Sequence, residues 1–217
     1  AALTVAFNNS DTTANVSLNG VTDADNDANE DLVLTGTGLT TLNLSTSGTA
    51  SNFDALDVAA IKTISIDAAA NLTVPIETTG TAGTITVTGA GAVNLGALDT
   101  GITTVDASAN TGGLTITDQA AATVITGSAT GNDSVNVGTL AKSAAVTLGD
   151  STGDRIIFTD DTNYTTTAAQ ISGAEILRAG GVGSSYDLTK LSGISSIEVI
   201  GTGGTVTMNK LSSTQAN

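Results

Sequence analysis

The feature that most constrains this chain is a spatial period written into its apolar residues. Aliphatic side chains recur in apolar-x-apolar phrases, and the first member of each phrase falls at Leu42, Ile64, Ile85, Val105, Val124, Val146, Ile176 and Ile197. The steps between them are 22, 21, 20, 19, 22, 30 and 21 residues. A second short apolar-x-apolar strand follows most of these anchors, at 72–74, 93–95, 114–116, 135–137, 156–158, 186–188 and 206–208. Self-similarity at a fixed period of this length is the signature of a stacked repeat architecture, in which each unit buries its apolar face only against its neighbours.

Alternating side chains on a strand put Leu42 and Leu44, or Ile64 and Ile66, on one face, so one face is expected to be buried along the whole stack. The phrases LTTLNL at 39, IKTISI at 61, ITTVDA at 102 and ISSIEV at 194 share this form. They are also similar to leucine-rich-repeat strands, with Asn71 and Asn110 near the place of that repeat's asparagine. The rest of each period, ANLTV or TGGLTI, has Thr, Gly and Val where a helix favours Ala, Glu or Leu. A second strand fits there, and the fold expected is an all-β solenoid, a parallel β-helix with coils of about 20–22 residues by this repeat reading. Right-handed coiling is expected from the handedness of parallel crossovers.

Composition agrees with a narrow core. Aromatic residues make up 2%, Trp is absent and Pro occurs once, while 40% of residues are hydrophobic and recur with strand periodicity. That periodicity argues against disorder, despite the abundance of Gly, Ser and Thr and a net charge of -15. A slender coil interior is filled by Val, Ile, Leu and Ala and has no need of large aromatic rings. Glycines such as Gly80, Gly83, Gly89, Gly91, Gly112 and Gly113 are expected at the corners between strands.

Several function classes are excluded. With no Cys and no His, the chain offers no disulfide, no thiolate or imidazole metal site and no His-dependent nucleophile. Six Lys and Arg stand against 21 Asp and Glu, which argues against nucleic acid and anionic membrane as partners. No apolar run reaches the length of a membrane-spanning helix, so no membrane insertion is expected. The whole of 1–217 reads as a single solenoid segment of a longer protein, with 1–38 as atypical opening coils or a cap. The stretch 159–170 reads as a loop insertion, with one helical turn expected at 167–171.

Acidic groups concentrate in two places, which points to a hard cation. The segment DADNDANED at 23–31 alternates Asp23, Asp25, Asp27, Asn29 and Asp31 with other residues. It is not an EF-hand, because Ala28 and Leu34 stand where that loop needs Gly and Glu. A solvated acidic turn is the competing reading.

The second place is a repeated segment, ITGSATGNDSVNV at 125–137 and TLGDSTGDRIIF at 147–158. Gly127 and Gly131 recur as Gly149 and Gly153, 22 positions on, each pair followed by acidic or amide side chains. Calcium prefers six to eight oxygens, and clustered carboxylates repel without a cation among them. The expected ligands are Asp133, Asp154 or Asp150, with Asn132 and carbonyls near Gly131 and Gly153. Asp160 and Asp161 could join them, or form the polar tip of a loop.

GSATGND and GDSTGD resemble the glycine- and aspartate-rich nonapeptides of RTX proteins. With LTTLNLSTSG, ITTVDASANTGGLTI and ISGAEILRAGG around them, the chain resembles bacterial surface-layer proteins of the RTX type. The resemblance implies a calcium-dependent β-solenoid, secreted to the bacterial cell surface, that associates with copies of itself in a two-dimensional lattice. It implies Asp133 and Asp154 as the motif's aspartates, the latter one place early, and Gly131 and Gly153 as the preceding glycines. Here the nonapeptides are a full period apart, so sharing of a cation requires that they stack on adjacent coils. A cell-surface polysaccharide is an expected partner only through a region outside this segment.

Two other functions compete. An adhesin passenger segment would share the same physics and present a loop to a cell-surface ligand. A polysaccharide-acting β-helix enzyme is disfavoured, because three Phe and two Tyr scattered along the chain make no sugar platform. A non-catalytic structural role is the expectation.

Overall fold

The computed structural model describes residues 3–22, 32–58, 61–77, 83–119, 124–137, 145–159, 163–164, 171–180, 183–191, 193–200 and 204–211. Every strand pairing among them is parallel. The chain winds into a β-solenoid with three walls. The only helical element among the described residues is a 3-10 turn at Leu188–Lys190.

The first wall is an eight-stranded sheet built, in order, from Thr13–Leu18, Thr41–Thr46, Thr63–Ala68, Gly83–Gly89, Ile102–Asn110, Val124–Thr126, Ala145–Thr147 and Ile171–Ser172. The second wall, also eight-stranded, runs from Ser51–Asn52 through Leu72–Thr73, Val93–Asn94, Leu114–Ile116, Ser134–Asn136, Arg155–Phe158 and Ile176–Ala179 to Ser196–Val199. The third wall comes in shorter sheets. Leu3–Ala6, Leu32–Thr35, Leu56–Asp57 and Ile76–Glu77 form one, Ala97–Leu98 and Asp118–Gln119 the next, and Asn163–Tyr164, Ser185–Asp187 and Thr207–Asn209 the last.

Alternation explains the core. On Thr63–Ala68 the buried residues are Ile64, Ile66 and Ala68, while Thr63 and Asp67 are exposed. Stacked in register, such strands put Ala14, Leu42, Ile64, Ile85, Val105, Ile125, Val146 and Ile171 in one buried file. The second wall supplies Ile116, Val135, Ile156 and Leu177 in another, which ends at half-buried Ile197. Each buried aliphatic side chain contributes about 1.5–3 kcal/mol, so the file as a whole holds the stack together. Where the third wall meets the second, Tyr186 packs on Phe158, ring centroids 5.4 Å apart, and its hydroxyl donates to the carbonyl of Gly180.

Three of the eight expected anchors are misplaced. Val124 is 43% exposed and its neighbour Ile125 holds the place opposite Val105. Two adjacent β-branched residues can be read in either register, and a slip of one reverses the faces. Ile176 and Ile197 belong to the second wall. The first-wall file instead passes from Val146 to Ile171, so the longest expected step dissolves. The apolar-x-apolar phrase looks alike in all walls, and the sequence gives no sign of which wall it serves. The stretches 186–188 and 206–208 likewise belong not to the second wall but to the third, where Tyr186 pairs with Met208.

Of the stretch 159–170, Thr159 and Asn163–Tyr164 are described, and the latter pairs with Ser185–Asp187 as a piece of the third wall. The expected helical turn at 167–171 lies outside the described residues except for Ile171, which is strand. Within 1–38, Leu3–Ala6 pairs with Leu32–Thr35, and Thr13–Leu18 with Thr41–Thr46, residue for residue. These are ordinary third-wall and first-wall strands. The acidic segment with Asp23, Asp25, Asp27 and Asp31 lies outside the described residues.

A buried carboxylate file as candidate site

At the corner between the first and second walls the backbone changes direction, and strand hydrogen bonding alone does not satisfy its amides and carbonyls. Buried polar side chains complete the bonding there. Thr46 donates to the carbonyl of Ala70 (2.7 Å) and accepts from its N–H (3.0 Å). Asn110, fully buried, donates to the carbonyls of Gly89 and Gly91 and accepts from the N–H groups of Gly112 and Gly113.

Immediately beyond that corner, the inward position that opens the second wall carries Ser51, Leu72, Val93 and Leu114 in the early coils. In the later coils the register continues the same file through Asp133, Asp154 and Glu175. Asp133 is 1% exposed and Asp154 0%. A column that is apolar at Leu72, Val93 and Leu114 therefore ends as carboxylates.

Each carboxylate takes over a backbone role. In the early coils the N–H of Ser51, Leu72 and Val93 donates to a carbonyl of the next coil, that of Asn71, Ala92 and Gly113. From Leu114 onward the acceptor is a side chain. Leu114 N–H donates to Asp133 Oδ1 (2.8 Å), Asp133 N–H to Asp154 Oδ1 (2.8 Å), and Asp154 N–H to Glu175 Oε2 (3.3 Å).

The step from the first-wall file to this column is eight residues at Ile64 to Leu72 and equally at Ile125 to Asp133 and Val146 to Asp154. In the later coils the strand stops at Thr126 and Thr147, so that most of that step is a non-strand bend. Asp133 closes that bend, since its Oδ2 accepts from the N–H of Ser128 (2.9 Å). Ser128 is itself fully buried and donates its hydroxyl to the carbonyl of Gly131 (2.8 Å). Glycine is required around the bend for space. A Cβ on Gly127 would overlap Asp133 Oδ2, one on Gly131 the N of Gly113, and one on Gly149 the carbonyl of Ser128.

Asp133 and Asp154 thus differ in an instructive way. Asp133 has both oxygens engaged by N–H donors, whereas Oδ2 of Asp154 is buried with no hydrogen-bond partner. Burial pushes the Asp133 carboxyl above its usual range, against the N–H groups of Leu114 and Ser128 that favour the anion. Burial also pushes Asp154 up, to about 6; the N–H of Asp133 opposes this, and the charges of Asp133 and Glu175 add to it. Outside the second wall, Arg155 and Arg178 flank Glu198 at 3.4 and 3.8 Å.

The expected ligands divide accordingly. Asp133 and Asp154 do lie on adjacent coils and in direct contact through the N–H of one and the carboxylate of the other. The carbonyl of Gly131 is turned to Ser128. Asn132 is exposed and accepts from the hydroxyl of Ser151, which in turn accepts from Gly153 N–H. Asp150 is exposed. Asp160 and Asp161 lie outside the described residues. Glu175, Ser128 and Leu114 join the site without having been expected. Among the described residues no three acidic side chains converge in a ready-made metal cage; the fit to a cation rests on the unpartnered oxygen of Asp154, with Glu175 on the next coil.

No protein-family model matches this chain, and no curated protein or solved structure matches it either.

Proposed function

We propose that this chain is a structural module of a bacterial surface-layer lattice, secreted to the cell surface and stabilised by calcium. The observation that carries the reading is the buried, unpartnered Oδ2 of Asp154 within a file of carboxylates. An ionised carboxylate in that position is unfavourable unless a proton or a cation offsets it. A hard cation held by Asp154 and Glu175 would supply positive charge where two chain segments already carry negative charge, and so fasten the later coils to one another. Asp133 would act beside it as the closure of the 127–133 bend, not as a principal ligand.

Two further features support a scaffold. A net charge of -15 on a solenoid keeps copies apart until a divalent cation lowers the repulsion. The scarcity of aromatic residues leaves few of the anchors on which isolated high-affinity interfaces rely, which suits weak contacts repeated across an array. The resemblance of the Gly-Asp segments to RTX surface-layer proteins points the same way.

The test is calcium addition to chelated protein, followed by light scattering and electron microscopy. The reading expects ordered sheets or extended assemblies with calcium and dispersed protein without it. Protein that gains rigidity but stays monomeric would favour the adhesin reading, and protein unaffected by calcium would remove the lattice proposal.

A further inference from the structure

The outer face of the second wall changes character along the stack. In register from coil to coil it carries Asn52, Thr73, Asn94, Thr115 and Ser134, all short and polar. On the next two strands, Arg155–Phe158 and Ile176–Ala179, the inward residues are Ile156, Phe158, Leu177 and Ala179. The outward ones are Arg155 and Ile157 on the former and Ile176 and Arg178 on the latter, all half-buried. Register sets Arg155 beside Ile176 and Ile157 beside Arg178. The patch is a checkerboard of arginine and isoleucine, and Ser196 and Glu198 stand on the strand beyond it.

Both arginines of the chain are here, in a molecule with six basic residues against 21 acidic. Among the described residues both pair with Glu198 alone, at 3.4 Å from Arg155 and 3.8 Å from Arg178. Each contact is longer than a charge-assisted hydrogen bond of about 2.7–2.9 Å. The Nε of each arginine is covered and has no hydrogen-bond partner among the described residues. One carboxylate thus serves two guanidiniums that are already partly withdrawn from water, and capacity to donate remains.

We propose that this checkerboard is an isologous contact between two copies of the chain, second wall to second wall. A two-fold axis parallel to the stack exchanges the two outward columns of the facing walls. Each arginine of one copy then lies over an isoleucine of the other, so no like charges are directly opposed. Arginine suits that place, because its guanidinium is weakly hydrated and packs on apolar surface while its edge still donates to a carboxylate. Glu198 of each copy lies opposite Ser196 of the other, with the other's Arg178 diagonally one coil away. Charge favours this face over the rest of the molecule. Copies of net charge -15 repel one another elsewhere, whereas here each brings two guanidiniums and one carboxylate, a local surplus that offsets the repulsion. The patch is small beside the roughly 1,200–2,000 Å² of a stable interface, so a single contact is weak and repetition in an array supplies the rest.

The contact rests on the reading of the chain as a self-associating module, and it is tested without calcium so that the two can fail separately. Sedimentation equilibrium in chelator at moderate ionic strength should show a monomer–dimer equilibrium with a Kd of about 0.1–1 mM. Arg178→Ala and Ile157→Thr should each raise that Kd by about tenfold or more, because a two-fold dimer loses the group twice. Their melting temperatures report on folding, and Thr86→Ala, on the outer face of the first wall, serves as a control without effect on the dimer. A dimer lost in the variants, in protein that ignores calcium, would support the contact and remove only the calcium-driven lattice. The proposal is overturned if the parent stays monomeric to about 1 mM, if the patch variants dimerise as the parent does, or if calcium-driven arrays form unchanged in those variants. Heparin that binds the parent below the concentration of dimerisation, and not Arg178→Ala, would assign the patch to a polyanion and overturn it too.

Discussion

The same inward column opens the second wall in two different chemistries. In the early coils Leu72, Val93 and Leu114 fill it and the N–H groups of Leu72 and Val93 find main-chain carbonyls. In the later coils Asp133, Asp154 and Glu175 occupy it and serve as the acceptors themselves. What separates the two regions is the backbone at the corner and not its length, since the step from first-wall file to column is eight residues at Ile64 to Leu72 and Ile85 to Val93 and again at Ile125 to Asp133 and Val146 to Asp154. In the early coils the strand continues to Ala68 and Gly89, and a carbonyl of the next coil meets each N–H. At 127–133 and 148–154 the corner is non-strand backbone, and a side-chain oxygen takes the N–H instead. A buried acidic residue in this fold is thus first a repair of the backbone, and the cation site is proposed only where an oxygen is left over, as at Asp154.

The largest effect should come from moving the later chemistry into the early region. Val93→Asp puts a carboxylate where Gly113 already accepts the N–H of Val93 and no bend supplies a second donor. An uncompensated buried charge should cost about 3–5 kcal/mol in urea denaturation. A loss below about 1 kcal/mol, within the scatter of ordinary surface changes, would mean that the two regions are interchangeable.

Next comes removal of the repair. Asp133→Ala leaves the N–H groups of Leu114 and Ser128 without their acceptor, at about 1–3 kcal/mol each when buried. Gly127→Ala forces a methyl onto Asp133 Oδ2 and should cost about 1–3 kcal/mol as overpacking. Because both act on one contact, the double variant should lose less than the sum of the two. Strict additivity in the double-mutant cycle would break the link between the glycine and the carboxylate.

How much of this could be read in advance depends on which residues are considered. The first-wall file from Leu42 to Val105 was legible because Leu, Ile and Val alternate there with Thr, Ser and Asn on strands with two or more inward residues. Beyond Val105 the strands shorten to three residues, alternation has too few terms to fix the face, and the pair Val124 and Ile125 reads equally in either register. The pair Asp133 and Asp154 was legible as an acidic repeat, but through glycines spaced 22 apart, which made Asp154 look one place out of phase. A carboxylate at 133, 154 and 175 recurs with a constant step of 21; that signal contains Glu175 and was hidden because no glycine motif precedes it. The engagement of Asp133 by Leu114 and Ser128 had no sequence signal, since it depends on which backbone N–H groups the fold brings within reach of the side chain.

A smaller effect should appear in the pH dependence. The carboxyl of Asp154 is held at about 6 in the folded chain against an ordinary value of 3.8. A raised value means that the folded form holds the proton more tightly than the unfolded one. This contribution to stability is fully present below pH 3.8 and is lost as pH rises to about 6. In calcium-free buffer, Asp154→Asn should flatten that part of the stability profile, because its side chain no longer titrates. An unchanged profile in the variant would assign the pH dependence to other groups.

The central claim is that the later region, and not the early one, gains stability from a cation at Asp154 and Glu175. Hydrogen exchange read by mass spectrometry, with calcium and with chelator at pH 7, tests it directly. The account predicts that calcium slows exchange in peptides covering 124–137, 145–158 and 171–179, leaves 41–58 and 63–77 nearly unchanged, and has no such effect in Asp154→Asn or Glu175→Gln. Equal protection of both regions, or protection that survives in the two variants, would contradict it.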